Sequence, residues 1–299
     1  VTFSRIHLSL WFGIVLGVAS CSHNPPQPPQ TQYAPQAPRP PARAVAAQDH
    51  SMNRGSATPN NPLPRQVNRP SNLPPVPPSG AKISYSSVST SAKVVAMTFD
   101  DGPHPTLTPQ LLDLLRDRNI KCTFFVVGKN ARAYPHIIRR MVAEGHEVAN
   151  HTWNHPSLTS LSDDQIRQEL RSSEEAVMAA ANYRMRVIRP PYGAINTRIK
   201  QLMYSEFGYS TIMWSVDPQD WRRPGASVVT SRLVSGAHPG AIMLAHDIHP
   251  PTIAAMPAMF DQLIAQGYQF VTVSQLLNLE KTGASVGAVD ASAAGALTR

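Results

Sequence analysis

The stretch Thr98-Phe99-Asp100-Asp101-Gly102-Pro103 sets two carboxylates side by side at the end of an apolar run. Adjacent carboxylates repel, so ionising both needs a compensating charge. A divalent cation supplies it: one carboxylate ligates the cation while the other, its pKa held down by the same field, stays free to take a proton. Asp and Gly also belong in ordinary turns, so this stretch alone is equally well a strand ending in a polar turn. A second cluster, His151-Thr152-Trp153-Asn154-His155, has histidines at i and i+4, a spacing that would put both on one face of a helical turn. With one carboxylate from elsewhere, they form a three-ligand set with a position left open, as catalytic zinc requires; structural zinc is normally closed by four protein ligands. Three more polar clusters follow: Arg189-Pro190-Pro191-Tyr192, Asp217-Pro218-Gln219-Asp220-Trp221 and Leu244-Ala245-His246-Asp247. Each has a plain structural reading when taken alone. Arg189 could sit in a surface salt bridge, His246 could be a satisfied core histidine, and Trp221 and Leu244 could be core packing. Asp217 reads as structural, and His104, His249 and Trp153 are given no chemistry. The His-Glu-x-x-His arrangement of a zinc peptidase is missing.

Alternating strand and helix patterns must position these clusters. Residues 93–98 form a β-rich run; Thr108 caps and Pro109 opens a helix with Leu111, Leu112, Leu114 and Leu115 on its apolar face. A strand is expected at 122–127, a helix at 135–143 and a short strand at 147–149. Ser162 with Gln165 is a capping-box match for a long helix to about Ala181. Further strands are expected at Val187, 211–214, 241–244 and 270–273. Such alternation implies parallel strands with crossover helices, hence an open α/β sheet or a (β/α) barrel. In both, chemistry sits at the C-terminal ends of the strands, which is where the polar clusters fall.

Composition separates this region from its flanks. Most of the 29 prolines among the 299 residues lie before residue 80, so the N-terminal quarter is not expected to pack a core. Much of the +8 net charge sits there too: Arg39, Arg43, Arg54, Arg65, Arg69 and Lys82 face only Asp49. Without interleaved aromatic residues this argues against nucleic acid as a partner and for weak attraction to an acidic surface or wall polymer. Basic Arg5, the apolar run 8–19 and Val18-Ala19-Ser20-Cys21 have the proportions of an export signal and resemble a bacterial lipobox, with Cys21 as the lipidated residue. The expected organisation is a lipoprotein-type signal at 1–20, a disordered Pro-rich linker at 21–84, the catalytic domain at 85–280 and a flexible tail at 281–299. At about 3.1 Å per residue, the linker reaches at most on the order of 190 Å. Cys122, in an apolar run, reads as a small core residue and not as a disulfide partner of Cys21.

The five clusters, in this order, resemble the five motifs of the polysaccharide deacetylases of the NodB-homology group, carbohydrate esterase family 4. The resemblance covers about residues 93–280. It implies a distorted (β/α) barrel with an open groove at the strand C-termini. It also implies Asp101, His151 and His155 as metal ligands and Asp100 as general base, although adjacency alone does not say which aspartate does which job. It makes Arg189 the partner of the base carboxylate, Tyr192 the donor of a backbone N–H to an oxyanion, His246 the general acid and Asp220 the carboxylate that orients it. Trp221 and Leu244 become walls of an acetyl pocket. The implied cofactor is a divalent metal, zinc by preference, with cobalt, nickel or iron able to take such ligands. The implied activity is N-deacetylation of N-acetylglucosamine in a polysaccharide, with peptidoglycan favoured by the export signal and tether. Chitin oligomers, poly-N-acetylglucosamine and acetylated xylan are alternatives, as is a tethered glycan-binding module without catalysis. The domain is expected to be monomeric, exported and lipid-anchored to a bacterial membrane, facing the periplasm or wall.

Overall fold

A computed structural model describes residues 82–282. Cys21, the expected signal, nearly all of the expected linker and the tail beyond residue 282 lie outside the described residues. Along the chain run β1 (Ser84–Tyr85), β2 (Val94–Asp100), α1 (Leu107–Asp117), β3 (Thr123–Val126), α2 (Gly128–Ala133), α3 (Pro135–Ala143) and β4 (Glu147–Asn150). They continue with α4 (Asp163–Ala181), β5 (Val187–Ile188), α5 (Thr197–Phe207), β6 (Ser210–Ile212), α6 (Ala226–Gly236), β7 (Ala241–His246), α7 (Pro250–Ala265), β8 (Gln269–Phe270) and α8 (Val273–Thr282).

All strand pairs are parallel, in the order β1-β6-β5-β4-β3-β2-β7, with β8 paired to the start of β2. No continuous ladder closes the sheet. Two isolated bridges, Ser87 to Ala241 and Val216 to Met243, span the remaining gap, helped by Leu244 N–H donating to the Val216 carbonyl at 2.9 Å. The result is the expected distorted barrel.

The period-2 alternation of a strand sorts side chains onto two faces. On β2, Val95, Met97 and Phe99 pack with Leu111, Leu115, Phe260 and other helix residues outside the barrel. Val94 and Ala96 point the other way, into a smaller cluster with Phe125, Ala149, Ile212 and Ile242. Leu276, Leu277 and Leu279 of α8 join that inner cluster. The start of α8 is fixed to the N-terminal ends of β3 and β4, where buried Glu147 accepts from Ser274 N–H at 3.0 Å and from Thr123 Oγ1 at 2.8 Å. Helix α8 therefore plugs one end of the barrel and leaves the strand C-termini open.

Local differences from the sequence expectation have local causes. Thr106, not Thr108, holds the N-cap position of α1. The Thr108 hydroxyl is already engaged, accepting from His104 N–H at 2.7 Å and donating to Asp247. His104 Nδ1 instead accepts the Leu107 N–H at 3.2 Å. The expected strand at 270–273 stops at Phe270, because Thr272 and Gln275 form a reciprocal cap, Thr272 N–H to Gln275 Oε1 at 2.9 Å and Gln275 N–H to Thr272 Oγ1 at 3.3 Å, that starts α8. The Ser162 and Gln165 capping box of α4 is present as expected.

Candidate metal centre and catalytic cleft

The strand alternation that orients Val94 and Ala96 inward also orients Thr98 and Asp100 inward, at the open end of the barrel. Arg189 follows β5 and is fully buried. Its Nη1 donates to Asp100 Oδ1 and Thr98 Oγ1, both at 2.7 Å, while Nε and Nη2 donate to the carbonyls of Ile212 (3.3 Å) and Met213 (3.1 Å). Its guanidinium lies 4.2 Å from the Phe125 ring centroid. Burial pulls its pKa down and the Asp100 charge pulls it back up. A buried ion pair with its remaining donors satisfied keeps Asp100 in one orientation, which an unpaired carboxylate at 3% exposure would not hold. The pair is thus buried inside the barrel and is not a surface salt bridge.

Asp101 turns away from the strand with φ 74° and joins His151 and His155. Its Oδ1 lies 3.5 Å from His151 Nε2 and 3.3 Å from His155 Nε2. Ligands held about 2.0–2.1 Å from a tetrahedral ion stand about 3.4 Å apart, so this two-nitrogen, one-oxygen set fits a divalent cation. His151 Nδ1 donates to the Arg189 carbonyl at 2.7 Å. That bond orients the ring and turns Nε2 toward the aspartates. Burial would raise the Asp101 pKa, but the hydrogen bond and charge of His151, with His246 and His155 behind it, hold it at about 2. Burial lowers the pKa of His155, and the His151 charge adds to it. The i, i+4 pair does not lie on a helical turn, contrary to expectation. Thr152 (φ 67°) and His155 (φ 63°) are left-handed, and the two imidazoles meet across a tight loop with ring centroids 4.8 Å apart.

His246 ends β7 directly opposite Asp100 in the β2–β7 register. Its Nδ1 and backbone N–H both donate to Asp220, at 2.8 Å each. Asp220 also accepts from Thr252 Oγ1 at 2.8 Å and from Trp221 N–H at 3.1 Å. Burial alone would depress the His246 pKa; the bond and charge of Asp220, reinforced by Asp100 and Asp101, raise it to about 9. Burial opposes ionisation of Asp220, and His246 outweighs it, leaving that carboxyl below its usual range.

These groups surround one cleft of about 520 Å³, lined by Asp100, Asp101, His151, His155, Tyr192, Trp221, Leu244 and His246. Arg189 and Asp220 stand behind it. Every site residue expected from the sequence within the described region is thereby brought together. Tyr192 is 72% exposed at the rim, with a left-handed backbone (φ 61°), and its ring packs against His155 at 4.6 Å between centroids. Sequence reading missed Trp214 and Pro190 as walls, and it took Asp217, which also lines the cleft, as structural. Thr98 as a partner of Arg189 was legible only from its parity with Asp100. Asp247 is fully buried, and burial raises its carboxyl to about 7. A Cβ on Gly102 would come within 2.4 Å of its oxygens, so this carboxyl fills space behind the Asp101 turn. Cys122 is free and buried, and burial pushes its thiol pKa up.

The family model of polysaccharide deacetylases matches residues 87–212. A chitooligosaccharide deacetylase of a Bradyrhizobium species is 36% identical, with 67% of this chain matched to 98% of that protein. The chain belongs to the polysaccharide deacetylase family. The chain is also 39% identical over 199 residues to the peptidoglycan-N-acetylglucosamine deacetylase PgdA of Listeria monocytogenes; the match takes in 67% of this chain and 42% of that protein. The solved structure of the peptidoglycan deacetylase PdaC from Bacillus subtilis superposes with a TM-score of 0.61 at 38% identity, covering 64% of this chain and 93% of that one. The chain thus spans less than half the length of PgdA.

Proposed function

We propose that this protein hydrolyses the N-acetyl group of N-acetylglucosamine residues in a glycan polymer, peptidoglycan first among them, and releases acetate. The observation that carries the reading is the facing pair across β2 and β7. Asp100 is a carboxylate kept oriented by Arg189, and opposite it His246 is kept protonated by Asp220. One wall of the cleft can therefore take a proton and the other can give one.

A divalent cation held by Asp101, His151 and His155 would supply Lewis acidity toward oxygen. Zinc suits two imidazoles and one carboxylate. The division of labour between the aspartates is supported by distance: Asp101 Oδ1 is within 3.5 Å of both imidazole Nε2 atoms, while Asp100 Oδ1 is taken by Arg189. In the reaction Asp100 removes a proton from water as its oxygen bonds to the acetamide carbon. The Tyr192 backbone N–H donates to the developing oxyanion. His246 then passes its Nε2 proton to the nitrogen as the C–N bond breaks, leaving an amine and acetate. Leu244 and Trp221, with Trp214, give the acetyl methyl an apolar wall.

Export, lipidation at Cys21, a tether over residues 21–84 and a catalytic domain over 85–280 complete the proposal, supported by the lipobox-like Val18-Ala19-Ser20-Cys21 and the proline content. A glycan-binding module without catalysis is the competing reading. It would have no use for a histidine held as a cation beside an oriented carboxylate. Purified protein should release acetate from N-acetylated peptidoglycan glycan or chitin oligomers, and a chelator should stop it. No acetate from these or from acetylated xylan, under zinc, cobalt, nickel and iron in turn, would overturn the reading.

A further inference from the structure

The loop that carries His151 and His155 is strained, and one side chain outside it accounts for its unpaired amides. Thr152 and His155 both have positive φ, a conformation that is unfavourable for a residue with a Cβ and least suited to a β-branched one. Such conformations persist only where the surroundings over-determine them. The backbone groups of the loop can be traced one by one. Thr152 N–H donates to Asn150 Oδ1 at 2.7 Å, and His155 N–H to Thr152 Oγ1 at 3.0 Å. The carbonyls of Thr152 and Trp153 accept from Gly128 and Lys129 at the start of α2, at 2.9 and 3.2 Å. That leaves the two central amides. Trp153 N–H and Asn154 N–H both donate to one carboxylate oxygen, Glu169 Oε2, at 2.9 and 2.8 Å, and Asn154 Nδ2 reaches Oε1 at 3.3 Å.

Glu169 lies on α4, one turn before Ser173. A Cβ on Gly128 would stand 2.7 Å from both the Ser173 Cα and Trp153 Cε3, so α2, α4 and the loop are packed without slack. The loop is therefore gripped from two sides, through its carbonyls by α2 and through its amides by Glu169.

We propose that Glu169 is a positioning residue that holds the 151–155 loop in its metal-ligating shape before any cation arrives. A carboxylate accepting two consecutive backbone amides makes charge-assisted bonds, stronger than neutral ones. Without it, Trp153 and Asn154 amides have no acceptor in the fold, and the strain at Thr152 and His155 is free to relax. His155, at the far end of the loop, then loses its fixed distance to Asp101. The proposal rests on the metal-centre reading above for its consequence, but its structural core, an ordered loop in the metal-free protein, stands apart from it.

The test uses the full chain as Glu169→Ala and Glu169→Gln. Zinc affinity is read by competition with a chromophoric chelator, and amide hydrogen exchange is read residue by residue in the metal-free protein. Glu169→Ala should weaken zinc binding about 10- to 100-fold, the usual effect of losing a group that orients metal ligands. It should also speed exchange at the Trp153 and Asn154 amides while the β2 amides keep their protection and the metal-free unfolding midpoint stays near the parent's. Glu169→Gln keeps an acceptor oxygen and should restore slow exchange and most of the affinity. Unchanged exchange at Trp153 and Asn154 in Glu169→Ala overturns the proposal, as does a loss of affinity in both variants that merely follows global unfolding. If the parent itself takes up no zinc, the metal-centre reading fails, and the exchange measurement still decides the role of Glu169.

Discussion

Replacing Asp220 by Asn tests the acid side of the cleft without removing any group that contacts substrate. In the native protein His246 is raised from its usual 6.5 to about 9, and the leading cause of the rise is the Asp220 bond and charge working against burial. Asparagine keeps the shape and one acceptor oxygen but not the charge, so only the weaker pull of Asp100 and Asp101 still opposes burial and the imidazole should titrate well below 9, toward its usual 6.5. A difference of about 2.5 in pKa corresponds to about 3 kcal/mol favouring the imidazolium. The raised pKa means that this stabilisation is fully present below pH 6.5 and is lost as pH rises through about 9. The depressed pKa of Asp220 acts at the other end, with its contribution present above the usual 3.8 and lost as pH falls below it. At pH 8 the protonated fraction of His246 should fall from about nine in ten to about one in thirty. Two assays read this: an NMR titration of the His246 ring in metal-free protein, and the alkaline limb of kcat/KM for acetate release. The limb should move from near 9 toward 6.5 with a roughly 30-fold loss of rate at pH 8. A ring pKa still near 9 in the Asn variant, or full activity at pH 8, would refute the assignment of Asp220 as the source of the charge on His246.

Arg189→Met leaves the 3%-exposed Asp100 carboxylate without its cation; it should cost about 3–5 kcal/mol in urea unfolding, and combining it with Asp100→Asn should recover much of that loss. Gly240→Ala should be strongly destabilising, because its φ is 76° and a Cβ would lie 1.9 Å from the Val88 carbonyl, so a marked drop in the denaturation midpoint is expected and an unchanged midpoint would contradict this packing. Ser162→Ala removes half of the capping box of α4 and should cost about 1 kcal/mol, read by the same unfolding experiment.

Much of the fold was legible because it is local. Apolar runs with β-branched residues mark β2 and β7, the Ser162 and Gln165 pair marks the start of α4, and the alternation of such segments implies parallel pairing. The errors came where one side chain had two possible uses. Thr108 looks like a cap but its hydroxyl is occupied by His104 and Asp247, and Val273 looks like strand but follows a Thr272 and Gln275 cap. Of the candidate site, residue types alone left each cluster a plain structural reading, and it was the ordered resemblance to the five deacetylase motifs that pointed to Asp100, Asp101, His151, His155, Arg189, Tyr192, Asp220, Trp221, Leu244 and His246.

What the chain order could not contain is how these residues face one another. Which aspartate meets the histidines depends on strand parity, which keeps Asp100 inside the barrel with Arg189 and lets the left-handed Asp101 turn out to His151 and His155. The charge on His246 depends on Asp220, 26 residues away in sequence and 2.8 Å away in space. The hold of Glu169 on the 151–155 loop depends on α4 returning across it. A sequence determines which functional groups are available and which segments are helix or strand, since those follow from side-chain chemistry and near neighbours. Burial, charge pairing and backbone strain arise only when distant segments pack, so the tertiary structure alone decides which carboxylate is oriented, which imidazole is charged and which loop is held ready.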